Sequence, residues 1–207
     1  MSDHLDLPTR RPVPLPLLGD PPPERADAAR NREALLVAAQ ELINHCGIDA
    51  VTMEAVAHRA GVGKGTVFRR FESREGLMGA LLNFSETAWQ ASVISGPPPL
   101  GPGADPWDRL AAFGRSRLET TMVSADLIRA AGHAGTRSYA AYSFAAMHVR
   151  HLLAELRVEG DVPLLATALM APLEVWVLDQ QVRVEGIGVD RVYEGWLDLA
   201  RRIVRPT

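Results

Sequence analysis

Apolar residues recur along most of this chain at spacings of three and four. Leu35, Ala38, Ala39, Leu42, Ile43 and Cys46 follow that rule and Gly47 stops it, which predicts a first helix from about Arg30. Thr52 is placed to cap a short second helix carrying Val56, Ala57 and Ala60, and Gly61 ends it. A third helix is expected from about Gly63, with Val67 and Phe71 on its inner side. A fourth follows Phe71-Glu72-Ser73, with Leu77, Leu81, Phe84 and Ala88 on one face. The Gly/Pro-rich run from Ser95 to Asp105 suits neither helix nor central strand, so it divides a small helical head from a larger helical body. Beyond it, punctuation at Gly132/Gly135, Gly160/Pro163 and Gly186/Gly188 predicts helices at about 106–123, 125–133, 136–158, 162–185 and 188–204. Period-two alternation is nowhere long enough to argue a sheet. The expected class is all-α.

Two of these helices carry a further message. Val189, Val192, Tyr193, Trp196, Leu197, Ala200, Ile203 and Val204 form one unbroken stripe. The preceding helix, Leu164 to Val184, is apolar over more of its circumference than burial within one chain requires. Burial of one face inward and the other against a partner accounts for both. Pro172 interrupts that helix and predicts a kink or local reshaping. At the other end, residues 1–28 hold seven prolines and no apolar periodicity, the pattern of a disordered Pro-rich tail. Arg10, Arg11 and Arg25 leave open a basic arm for a DNA groove, although an inert tail is the simpler reading.

Composition narrows the class. A chain of 207 residues with 47% apolar and 23% charged residues is an ordinary globular protein. Its net charge of −3 means that any polyanion surface must be a local patch. The single Cys46 excludes an intrachain disulfide, and its place in the first helix pattern predicts a small core residue. No stretch approaches the length of a membrane span and no signal peptide is evident, so no membrane partner and a cytoplasmic location are expected.

The local patch is sought around Gly61-Val62-Gly63-Lys64-Gly65-Thr66. A phosphate-cradling loop needs a glycine five residues before Gly63, where His58 stands, and it must leave a buried parallel strand. Met53 to Ala60 reads as an amphipathic helix instead, and nothing downstream supplies a sheet. A helix-turn-helix accommodates every residue from Thr52 to Phe71. Val56 and Ala57 face the core, Ala60 permits close approach, Gly61 takes the turn angle, and Val62 plugs the gap between helices. Val67 and Phe71 anchor the second helix, which leaves Lys64, Thr66, Arg69 and Arg70 facing outward.

The run Ala60-Gly61-Val62-Gly63-Lys64-Gly65-Thr66-Val67-Phe68-Arg69-Arg70-Phe71, followed by Ser73-Arg74-Glu75-Gly76-Leu77, resembles the DNA-binding head of TetR/AcrR-type transcriptional regulators. The likeness extends from about Arg32 to Leu82. It implies an N-terminal three-helix head at 29–75 and a C-terminal ligand-binding and dimerisation body at 76–207. It also implies a double-stranded DNA operator, a homodimer, a small-molecule effector, no cofactor and no enzymatic activity. Carried over by position, Thr52 and Arg74 hold backbone phosphates, joined by Thr66 and Arg70; such contacts set register without reading sequence. Lys64 and Arg69 read bases, arginine favouring guanine, and Gly65 allows close approach. Two positions depart from the family: Gly63 stands where a capping Ser is common, and Phe68 where a Tyr hydroxyl commonly reaches a phosphate. Arg69 and Arg70, where His or Tyr is frequent, offset that loss through charge.

For the body, the resemblance implies an effector pocket between about 106 and 158 and a four-helix bundle formed by the last two helices of each subunit. Trp107, Phe113, Met122, Tyr139, Tyr142, Phe144 and Met147 supply aromatic and soft apolar surface, with His133, Arg137, His148 and His151 as polar anchors. Trp176 and Asp179 close the far wall. Ordinary core packing is the simpler reading of each aromatic. His148 and His151 share a helix face, but two ligands do not make a metal site. The implied mechanism is repression of a palindromic operator, relieved when ligand moves the fourth helix. A scaffold that has lost DNA binding, or a nucleotide-binding enzyme, is the alternative.

Overall fold

The computed structural model describes residues 23–130 and 139–204. Among them every regular element is helical. The head consists of α1 (Pro23–Cys46), α2 (Met53–Arg59) and α3 (Lys64–Phe71), with a short 3-10 turn at Ile48–Ala50. The long helix α4 (Arg74–Ser95) leads out of it. The body follows with α5 (Pro106–Ala130), α6 (Tyr139–Glu155), α7 (Val162–Met170), α8 (Val175–Asp179) and α9 (Val189–Val204).

Two apolar cores result. The head core gathers Leu35, Val56, Val67 and Phe71 around Leu77 and Leu81 of α4, and it takes in Leu127 from α5. The body core is built on Trp89 and Val93 of α4, Phe113 of α5, Leu152 of α6 and Trp196 of α9. Helix α4 therefore belongs to both. At the joint, Arg117 of α5 is fully buried; its Nη1 donates to both carboxylate oxygens of Glu86 at 3.1 and 3.0 Å. Its guanidinium lies 4.3 Å from the Trp89 ring centroid.

Several expectations are revised. Helix α1 begins at Pro23, inside the stretch read as tail to residue 28; residues 1–22 lie outside the described ones. Proline is well tolerated there, because the first turn has no helical acceptor for its missing N–H. Cys46 is exposed at the end of α1, where the helix has run past the core. Val62 does not plug the turn but stands exposed, its N–H donating to the Ala57 carbonyl at 3.0 Å. No break separates residues 123 and 125. The Ser124 hydroxyl donates back to the Thr120 carbonyl at 2.8 Å, and α5 runs unbroken through it.

Pro172 reshapes its helix as expected. A 3-10 turn spans Ala171–Leu173, Glu174 is extended, and after α8 a π-helical turn covers Gln180–Val184. Contrary to the sequence expectation, Val162–Val184 is apolar enough to cross a membrane by length and composition, with a mean hydropathy of 1.5 over its most apolar window. Only 28% of that window is buried, and Leu164, Trp176 and Val184 face outward, Trp176 at 75% exposure.

The opposite face of the body is tightly packed. Trp196 donates its indole N–H to the Leu169 carbonyl at 2.8 Å, and its ring occupies the place that a side chain on Gly114 would need. Gly114→Ala is expected to drive α5 from α9 and lower unfolding free energy by about 1–3 kcal/mol. Urea denaturation followed by tryptophan fluorescence measures this; an unchanged midpoint would show that the indole has room to shift.

Candidate nucleic-acid interface

The turn between α2 and α3 is assembled by local chemistry. Thr52 is extended and its Oγ1 accepts from the Ala55 N–H at 3.1 Å, capping α2. Helix α2 ends at Ala60, and Gly61 takes φ +67°, a region that side chains disfavour. Gly63 begins α3 in extended conformation without a side-chain cap, and its carbonyl accepts from the Thr66 N–H at 2.9 Å. Val67 and Phe71 are buried beneath α3, and the Arg32 guanidinium covers the Phe71 ring at 4.8 Å.

That anchoring decides what faces solvent. Lys64, Gly65, Arg69 and Arg70 are exposed, Thr66 is half-buried, and Phe68 is 40% exposed. Arg69 Nη2 approaches the Thr66 hydroxyl at 3.5 Å, a long contact. Lys64 Nζ lies 5.4 Å from the Phe68 ring centroid and forms an ion pair with Glu54 Oε1 across the turn. The hydrogen bond from Lys64 holds the Glu54 carboxyl below the usual carboxylate range, helped by a backbone hydrogen bond at Glu54 itself. Glu54 went unnoticed in the sequence, where it reads as an ordinary acid in a first helical turn.

Arg74 is placed differently from its expected phosphate role. Its Nε donates to the Val51 carbonyl at 3.0 Å and its Nη2 to the Ile48 carbonyl at 3.2 Å, tying α4 to the turn before α2. The Ile48 carbonyl also accepts from the Val51 N–H at 3.1 Å, so Arg74 adds a second donor there and reaches the Val51 carbonyl at the end of the 3-10 turn. The residue braces the head from within.

Comparison with known proteins agrees with this geometry. Residues 35–81 match the model of the bacterial regulatory proteins of the tetR family. A TetR transcriptional regulator from Streptomyces coelicolor has a TM-score of 0.58 and 26% identity, over 85% of this chain and 99% of its own. The head, residues 35–81, is thus of the tetR type. A transcriptional regulator from Rhodococcus sp. Rha1 (TM-score 0.56, 16% identity, 84% and 95% of the two chains) shares the fold. So does SmeT, solved in complex with triclosan (0.52, 19%, 84% and 90%). No curated protein matches significantly. TetR-family proteins are transcriptional regulators rather than enzymes, which sets aside a nucleotide enzyme built on the Gly61–Thr66 run.

In the body, the anticipated pocket residues divide. Phe113 is fully buried, packed between the Trp89 and His148 rings at 5.5 Å from each. Trp107, Met122, Tyr142 and Phe144 are half-buried against the same core. Met147, His151 and Trp176 lie on the surface and do not converge with them. Asp179 pairs with Arg183 at 3.4 Å and Arg129 at 3.6 Å, which links α8 to α5. His133, Arg137 and the Tyr139 side chain lie outside the described residues. No group of three or more metal-ligating side chains occurs among the described residues. His148 is pushed down to about 4 by burial, then by the charges of Arg109 and His151. Its Nε2 is buried without a hydrogen-bond partner.

Two outcomes follow from these placements. Arg74→Ala should lower head stability by about 1–3 kcal/mol, because two hydrogen bonds between α4 and the turn before α2 are lost, whereas Arg69→Ala leaves the melting temperature unchanged. Calorimetry of both variants separates an internal brace from a surface cation. His148 binds a proton in the unfolded chain from about pH 6.5 but in the folded chain only near 4. Stability present above pH 6.5 is therefore lost as pH falls through that window. The ring is part-exposed, so the screened effect is on the order of 1 kcal/mol. Melting temperatures at pH 7 and 5 should differ less in His148→Gln than in the wild type.

Proposed function

We propose that this protein is a ligand-responsive transcriptional regulator, a repressor, that binds a palindromic operator as a homodimer. A small, mainly apolar effector releases it. The observation that carries the reading is α3 itself: its apolar residues Val67 and Phe71 are spent on the core, leaving Lys64, Arg69 and Arg70 on one solvent-facing surface. On a protein of net charge −3 this local cluster is the natural place for a polyanion. Lys64 and Arg69 read bases, Thr52, Thr66 and Arg70 contact phosphates, and Gly65 lets the backbone come close. Phe68 contributes an apolar ring in place of a hydroxyl. Residues 29–75 form the DNA-binding unit and 76–207 the regulatory one, working in the cytoplasm.

Support for the dimer comes from the outward apolar side chains of 162–184 and a cleft of about 300 Å³ beside them. Pro172, Ile187, Val192 and Leu199 line it, where the segment before α9 meets α9. A two-fold axis there sets the two α3 helices about one DNA turn apart, roughly 34–36 Å. Support for an apolar effector comes from the half-buried Trp107, Met122, Tyr142 and Phe144, and from the triclosan held by SmeT. Ligand entering beside them displaces α4, which carries the head with it. A coupling of about 1–3 kcal/mol suffices to change operator occupancy many-fold.

Fluorescence anisotropy against the DNA upstream of its own gene tests this. Wild type should bind, and Lys64→Ala/Arg69→Ala should lose roughly tenfold or more in affinity. Arg70→Ala should weaken all sequences alike and flatten the salt slope by about one. Equal binding by wild type and the double variant would defeat the assignment of base readers. No binding by wild type would favour a scaffold that has lost DNA recognition.

A further inference from the structure

Helix α3 carries no acidic residue, and α2 carries one, Glu54. Its carboxylate crosses the turn to pair with Lys64, and both side chains are more than half exposed. An acid in a first helical turn is favoured by the helix dipole wherever its carboxylate points. That accounts for an acid at this position but not for its pairing with the first residue of α3. An exposed pair of this kind contributes little to folding. Its consequences fall on whatever Lys64 meets outside the protein.

We propose that Glu54 is a specificity residue of the DNA-reading surface: it withholds Lys64 from indiscriminate phosphate contact and accepts a hydrogen bond from a cytosine amine at the operator. The inference rests on the reading of α3 as the groove-entering helix. Duplex DNA presents phosphate oxygens along its backbone, and an ionised carboxylate can only accept hydrogen bonds. Whenever Lys64 turns toward DNA, Glu54 is left facing acceptors of its own sign, and random sequence gives it no compensation. A C·G pair beneath the start of α3 does. Guanine N7 and O6 accept from the Lys64 ammonium while the cytosine N4 amine donates to Glu54. The ion pair is exchanged for two contacts to one base pair. Discrimination arises from what is penalised as much as from what is bound.

The test uses the full chain and Glu54→Gln, which keeps the shape and removes the charge. Duplexes selected by wild type from a randomised pool, and a random-sequence duplex, are titrated by anisotropy at several salt concentrations. Glu54→Gln should bind the random duplex about threefold to tenfold more tightly near 0.1 M salt, with a salt slope steeper by about 0.9. It should gain nothing on the selected duplex, so its specificity ratio falls. Replacing one C·G pair per half-site should cost wild type about tenfold and the variant less than about threefold. In Glu54→Gln/Lys64→Ala the gain on random DNA should vanish. A variant that shifts both duplexes by the same factor, or keeps the wild-type base preference, overturns the proposal and leaves the regulator reading standing. A wild type that enriches no sequence overturns both. Melting curves of the variant serve as the folding control.

Discussion

The head and body are held in one arrangement by a buried guanidinium. Arg117 has no exposure, and a charge in that position is tolerable only when it is paired. Glu86 supplies two oxygens to one nitrogen and Trp89 supplies a ring face, both from α4. One turn of helix separates those partners, so α4 is gripped at a single level. Above that level its Leu77, Met78 and Leu81 are part of the head core, and Leu127 of α5 reaches the same core. Below it Trp89 and Val93 are part of the body core. A tilt of α4 thus cannot be absorbed locally. It must repack one core or loosen the Arg117 pair; on the proposed reading, this joint is the route by which the body acts on α3.

The far end of the body shows the same economy on its inner side and its absence on the outer. Trp196 is fixed by the Leu169 carbonyl and by the missing side chain of Gly114, so α9 has no freedom to slide on α5. The outer residues of α9, among them Asp190, Glu194, Asp198 and Arg202, are charged and exposed. The segment before it is the reverse: Leu164, Trp176 and Val184 are large, apolar and uncovered. Pro172 is the physical origin of this contrast. By breaking the helix into short pieces, it prevents one continuous apolar face from turning wholly inward.

What was legible in the sequence was local. The Thr52 cap, the Gly61 turn and the Val67/Phe71 anchor are set by residues within about twenty positions of one another, and each appears where its chemistry placed it. Periodicity could not say which aromatic residues of the body lie inside. Phe113 and Trp176 are equally apolar, yet one is sealed in the core and the other stands in solvent. Polar residues misled where the competing partner was distant or internal. The internal acceptors of Arg74, the carbonyls of Ile48 and Val51, lie more than twenty residues back, and spacing gave no sign of them. Arg117 and Glu86 are thirty-one positions apart, and no pattern joins them.

On the proposed reading of α3, the same limit bears on how tightly it holds DNA. Gly63 and Phe68 each lack a polar group that the family commonly places there, so neutral hydrogen bonds are fewer and charge must carry more of the contact. Three exposed cations stand on α3, and one of them faces a carboxylate before any DNA arrives. On the proposed reading, subtracting one charge from three is a large fraction of the sequence-independent attraction, which scales with the number of phosphates neutralised. Base-edge contacts are not reduced in that proportion, because they depend on geometry and not on the count of charges. A recognition helix arranged this way gives up overall affinity and keeps discrimination. On that same reading, the exchange suits a protein whose net charge is already negative and whose operator binding is reversed by a coupling of only a few kcal/mol.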